Sequence, residues 1–161
     1  MQERSENRKY QRIFLCLTTA IILFAFVHSL MPADMSTEES GKAVEILRSI
    51  FISLHLNPNN IDGHNVRKLA HYLEYLCMGI SMMFCAYFSD VEKPLRYIFR
   101  VLFFGLLIPV TDETIQLNTI GRSGQITDVW LDFSGFLTGI TAVILAVSAV
   151  KQLRKKRSRT K

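Results

Sequence analysis

The sequence predicts an all-α integral membrane protein, a bundle of four transmembrane helices with an extracytoplasmic amphipathic helix. Two observations lead there. Of 161 residues, 49% are hydrophobic, and the mean hydropathy is +0.20. The apolar residues also fall in four blocks, at about 13–31, 69–88, 97–115 and 126–150, instead of the regular spread of a soluble domain. Each block approaches the ~20 residues that cross a ~30 Å hydrocarbon core at ~1.5 Å per residue.

The first block follows Arg4, Arg8, Lys9 and Arg12, as in a secretory signal. Its exit, His28-Ser29-Leu30-Met31-Pro32, has no small-x-small cleavage site, so an uncleaved signal anchor is expected. Residues 32–64 form the longest connection. Within it Val44, Leu47, Ile50, Phe51 and Leu54 recur at helical spacing opposite Glu45, Arg48 and Ser49, which predicts a surface helix at about 40–55. Asn57-Pro58-Asn59-Asn60 and Asp62-Gly63 then turn the chain, and Asn65 is the expected N-cap of the second span. Arg100, Asp112 and Glu113 intrude on the third block. Cys16, Cys77 and Cys85 all fall inside spans, with neither disulfide nor zinc spacing.

Lysine and arginine set the orientation, with 14 on the side of the termini and the connection at 89–100, against 5 (Lys42, Arg48, Arg67, Lys68, Arg122) on the other. The positive-inside rule then places both termini in the cytoplasm. The expected organisation is a basic N-tail at 1–12, a membrane domain at 13–150 and a polybasic C-tail at 151–161. That C-tail is expected to bind anionic inner-leaflet lipid, not nucleic acid. A transporter is disfavoured, since the inner halves of the spans lack matching polar residues.

Under this topology three polar clusters share the outer-leaflet level. They are Arg67-Lys68…His71…Glu74-Tyr75, then Asp112-Glu113…Gln116, then Arg122…Asp128…Asp132. Charge that deep in a membrane costs several kcal/mol unless paired or wetted, so it marks a candidate site. Lys68, His71 and Tyr75 recur at i, i+3 and i+7, with Glu74 at i+3 from His71. Asp112 and Gln116 are i, i+4, and Asp128, Asp132, Gly135 and Gly139 share one face. The catalytic candidates are His71, Glu74, Asp112 and Glu113, with His71 and Glu74 or Asp112 as an acid–base pair. Lys68, Tyr75, Gln116, Arg122, Asp128 and Asp132 are the candidate ligand-binding residues. Arg122 suits phosphate, or serves as counter-ion to Asp128 or Asp132. A divalent cation on Asp112, Glu113 and Asp128 is conceivable, but no ligand spacing demands one, so no metal ligand and no cofactor is assigned.

These motifs resemble the VanZ-like membrane proteins. The resemblance rests on Lys68-Leu-Ala-His71-Tyr-Leu-Glu74-Tyr75…Gly79, Asp112-Glu113-Thr-Ile-Gln116, Gly121-Arg122…Asp128 and Asp132-Phe-Ser-Gly135…Gly139, and covers about residues 10–150. Two features depart from the family pattern: Asp132 stands where Asn is usual, and Asn118 and Ile120 stand where Phe and Pro are usual. The resemblance implies a small membrane protein of the cell envelope. The family name comes from a member that raises teicoplanin resistance. The expected ligand is an anionic envelope lipid, a cell-wall precursor or a glycopeptide. Enzymatic and purely binding roles both remain open at this stage.

Overall fold

A computed structural model describes residues 2–55, 57, 59 and 61–159. Its described residues form five α-helices and no strand: α1 (Gln2–Ser29), α2 (Ala33–Ser53), α3 (Gly63–Ser89), α4 (Ile98–Leu117) and α5 (Ile126–Arg159). A 3₁₀ turn, Pro94–Tyr97, precedes α4. Three helices are long and apolar enough to cross a membrane, over Arg4–Ser29, Gly63–Ser89 and Ile126–Ser158. α4 occupies the third expected span, but Arg100, Asp112 and Glu113 set it apart from those three. The basic stretches before residue 13 and after residue 150 continue α1 and α5 as helix.

α3 is the centre of the bundle. It runs antiparallel to α1, and Phe14 stacks on Phe84 while the Thr18 hydroxyl hydrogen-bonds that of Ser81 at 2.8 Å. It runs parallel to α5, and there the backbones nearly touch. A Cβ built on Gly79 would fall on the Phe136 carbonyl oxygen, one on Gly135 on the Tyr72 carbonyl, and one on Gly139 on the Leu76 carbonyl. Small residues at such crossings admit close backbone approach, which is how membrane helices associate where no hydrophobic effect drives them. Phe136, fully buried, reaches across to α4, where its ring fills the notch left by Gly105. Tyr75, Met78, Val101, Ile108, Ile140 and Val143 complete this core.

The connection after the first span is more ordered than the sequence suggests. α2 begins immediately after Pro32, not near residue 40, and buries Ser36, Ser40 and Val44. The two serines carry no hydropathy signal, which is why the sequence periodicity missed the first two turns. Val44 packs with Ile61, Val66, Leu47 and Phe51, whereas Ile50 and Leu54 are exposed. Arg48 ties the helix down by donating to the Ile61 carbonyl at 2.8 and 3.1 Å. In the following turn Asn57 accepts from the Asn59 amide; the expected turn residues Pro58 and Asn60 lie outside the described residues. The N-cap of α3 is Asp62, not Asn65: the Asp62 carboxylate accepts the Asn65 amide at 2.8 Å. Asn65 is thus the third residue of the helix, where its own N–H is the one to be capped.

Because the α3–α5 contact is backbone on backbone, enlarging its glycines cannot be absorbed by side-chain rotation. Gly139→Leu is expected to lower the unfolding free energy by about 3 kcal/mol or more, at the upper end of overpacking effects. Thermal melting of the detergent-solubilised chain measures it, with Gly41→Leu, which has open space around it, as the neutral control.

Candidate functional site

All three polar clusters meet at one end of the bundle. That end is formed by the C-terminus of α1, the first turns of α2, α3 and α5, the last turns of α4 and the α4–α5 loop. They surround a cavity of about 170 Å³. Seven of the ten expected site residues line it: Lys68, His71, Glu113, Gln116, Arg122, Asp128 and Asp132. Asp112, fully buried, lies beside it and is reached through Gln116, whose amide is 3.4 Å from the Asp112 carboxylate.

Packing decides which groups pair. Gly135 and Gly139 turn one face of α5 onto α3, and Asp128 and Asp132 share that face. Lys68 therefore meets Asp128 at 3.5 Å, and the His71 Nδ1 meets Asp132 at 3.8 Å. Asp132 is fully buried, and neither of its carboxylate oxygens has a hydrogen-bond partner among the described residues. The expected His71–Glu74 pair is not formed. Glu74 lines a separate, apolar groove with Ala20, Ile21, Phe24, Leu73 and Cys77. Three residues along a helix is about 300°, so the two side chains diverge by some 60°, enough to send Glu74 toward α1 instead. Tyr75 also leaves the cavity and sits in the core, its hydroxyl beside Asp112 but without a well-formed hydrogen bond.

Glu113 has a structural task that spacing could not reveal. It accepts the Gln125 amide at 2.7 Å, tying α4 to the residue from which α5 starts. Gln116 pairs with Asp112, as the i, i+4 spacing predicts, and also reaches the Ser29 hydroxyl at 3.4 Å.

Arg122 is not the counter-ion of Asp128 or Asp132. It donates to the His28 carbonyl at 3.1 Å, and neither it nor Arg67 forms an ion pair within 4.0 Å among the described residues. Burial lowers the Arg122 pKa and the Asp112 carboxylate opposes that shift; a guanidinium stays cationic at neutral pH regardless. Gly121 sets its direction. With φ of +76° it occupies the left-handed region, and a Cβ there would stand 3.1 Å from that of Ala33. The same loop receives the Ala33 amide on the Ile120 carbonyl at 3.2 Å, docking α2 over the cavity.

Several contributors escaped the sequence reading. Ser29 is fully buried and its carbonyl accepts from Thr119 at 3.0 Å. His28 faces Glu39 at 3.5 Å, and its ring centroid lies 6.1 Å from that of His71. Ala33, Ser36 and Thr37 roof the cavity from α2. The available signal was the polar pair His28-Ser29 closing an otherwise apolar run. Outside the cavity the end of α4, the α4–α5 loop and the start of α5 present Leu117, Ile120, Ile126 and Trp130 as exposed apolar side chains.

The fold and site define a class: an all-helical membrane protein with a charged cavity at one end of its bundle. A family model described as VanZ/LLP1 matches residues 14–147, and the chain belongs to that family. No curated protein and no solved structure gives a significant match.

Gly121→Ala is expected to destabilise the protein by about 1–2 kcal/mol, the strain of a left-handed non-glycine residue. It should also shift Arg122. Melting temperature measures the first effect, and crosslinking of cysteines placed at Ala33 and Ile120 reports the loosened loop.

Proposed function

We propose that this protein is a cell-envelope membrane protein that uses the cavity to bind the anionic head group of an envelope lipid or lipid-linked cell-wall precursor, in the outer leaflet. In this reading α1, α3, α4 and α5 all span, with α2 outside and both termini in the cytoplasm. Support for α4 as a span comes from its exposed side chains. Phe99, Phe103, Phe104, Leu106, Leu107, Val110 and Leu117 face outward, while Asp112 and Glu113 are buried against its neighbours. Support for the orientation is the excess of Lys and Arg at the opposite end of the bundle. There the helical continuation of α5 lies along anionic inner-leaflet lipid, with Lys151 hydrogen-bonded to the Val91 carbonyl at 2.8 Å.

The observation that carries the reading is the convergence of Arg67, Lys68 and Arg122 on one cavity in which, among the described residues, only Lys68 of the three is ion-paired. A guanidinium presents several donors in a planar fork suited to phosphate, and two of them at one mouth form an anion grip. His71, held between Asp132 and the cavity, is placed to accept or deliver a proton to the bound head group. The apolar groove of α1 and α3, about 420 Å³, favours a second, non-catalytic reading in which the cavity end holds an amphiphile such as a lipoglycopeptide antibiotic.

A reporter active only outside the cytoplasm should give signal when inserted within residues 57–60 and none when fused after Lys161; the reverse pattern removes the outer-leaflet site. In an envelope phenotype such as teicoplanin susceptibility, His71→Gln and Arg122→Lys should each abolish function at unchanged membrane abundance. A lysine fails because one ammonium cannot reproduce a bidentate grip. If the cluster only staples helices, both variants instead lose roughly 1–3 kcal/mol of stability, and function falls in proportion. For the binding-only reading, Arg122→Lys fails while His71→Gln retains function.

A further inference from the structure

Among the described residues, every buried side-chain oxygen without a hydrogen-bond partner belongs to Glu74, Tyr75, Asp112 or Asp132. Two of these carboxylates stand together. One ligand atom from each of His71, Asp112 and Asp132 can be chosen so that all three lie within 4.8 Å of one another. Asp112 and Asp132 are both fully buried, and no lysine or arginine nitrogen among the described residues lies within 4.0 Å of either. Asp112 accepts from Gln116 at 3.4 Å and has the Ser29 and Tyr75 hydroxyls beside it, yet its Oδ1 completes no hydrogen bond. Asp132 has no hydrogen bond at all on either oxygen. Two dry carboxylates at this separation do not both ionise without a compensating charge between them.

We infer that His71, Asp112 and Asp132 form a divalent-cation site, of the zinc or manganese kind, at the floor of the cavity. The donor set selects the ion. One imidazole nitrogen with two carboxylate oxygens suits borderline Zn²⁺ through the nitrogen and Mn²⁺ through the carboxylates better than Ca²⁺, which takes about six to eight oxygens. Two carboxylates and one divalent cation also sum to zero charge, which removes the repulsion and gives each aspartate a partner in one step. Donors bonded at ~2.0–2.2 Å around one ion lie roughly 3–3.5 Å apart, so the three side chains close inward by about an ångström on binding. Three protein donors leave a coordination position open, and His71 and Asp132 both border the cavity.

Folding redistributes the acidic residues that sequence spacing offered as alternatives. Glu113 is taken by the Gln125 amide and Asp128 by Lys68, whereas α5 packing delivers Asp132 to Asp112. The inference rests on reading this cavity as a functional site. It does not require that the ligand be an anionic lipid, although an open cation beside Arg122 would strengthen binding of phosphate.

The test uses the full chain in detergent, free of affinity tag and stripped with chelator, then titrated with Zn²⁺ or Mn²⁺ alone. Elemental analysis should find about one ion per chain, and melting temperature should rise saturably. Asp132→Asn and His71→Gln should each weaken the ion at least about tenfold and abolish the thermal response, while Arg122→Lys keeps both. His71→Gln changes no carboxylate, so it serves even if Asp132→Asn perturbs folding. Failure of both metals to bind stoichiometrically overturns the site and leaves a proton shared by the two aspartates. Retention of the ion by both variants overturns it as well. Anionic-lipid binding by protein that takes up neither Zn²⁺ nor Mn²⁺ sinks the cation alone. One bound ion with no affinity for phospholipid vesicles keeps the cation and sinks the lipid reading.

Discussion

The backbone contact between α3 and α5 is the constraint on which the rest depends. Gly79, Gly135 and Gly139 leave no space for a side chain, so the two helices have one register and one rotation relative to each other. Asp132 and Asp128 lie three and seven residues before Gly135, on the same face of α5. They are therefore carried onto α3 wherever the glycines go. The charged cluster is thus a consequence of close packing below it, and its electrostatic strain is borne by contacts made elsewhere. Buried polar groups that stability alone would remove persist when packing fixes their positions and function uses them.

Much of this was legible in the sequence because membrane helices advertise themselves by composition. The apolar blocks placed α1, α3, α4 and α5, and the i, i+4 and i, i+7 spacings chose the right faces for Gln116 and for the aspartates of α5. What spacing cannot supply is the neighbour that each face meets. Glu74 and His71 share a turn yet line different hollows, since α1 and α5 flank α3 on different sides. Ser29, Ser36 and Ser40 were invisible because short hydroxyl side chains neither raise hydropathy nor carry charge. Asp62 displaced Asn65 as the cap of α3 because either residue type can cap, and only the direction of the preceding chain selects between them.

α4 shows how a helix can look unsuited to lipid and still present an apolar exterior. Its acidic residues point inward, where α1 and the α4–α5 loop supply partners, and Pro109 sits buried one turn before them. Proline lacks the N–H that would close the bond to the Gly105 carbonyl, at the level where the Phe136 ring enters. The weakest turn of the helix is therefore braced by a fully buried aromatic ring of the core.

The exposed rim of Leu117, Ile120, Ile126 and Trp130 fixes how anything can arrive. Side chains of this kind settle where water gives way to acyl chains, so in the proposed orientation this rim lies level with that boundary and not above it. On the proposed lipid reading, a molecule anchored in the same layer meets the cavity edgeways, already confined to two dimensions and already at the right depth. Its encounter rate then scales with its surface density in the leaflet, and dilution of the surrounding medium leaves that rate untouched.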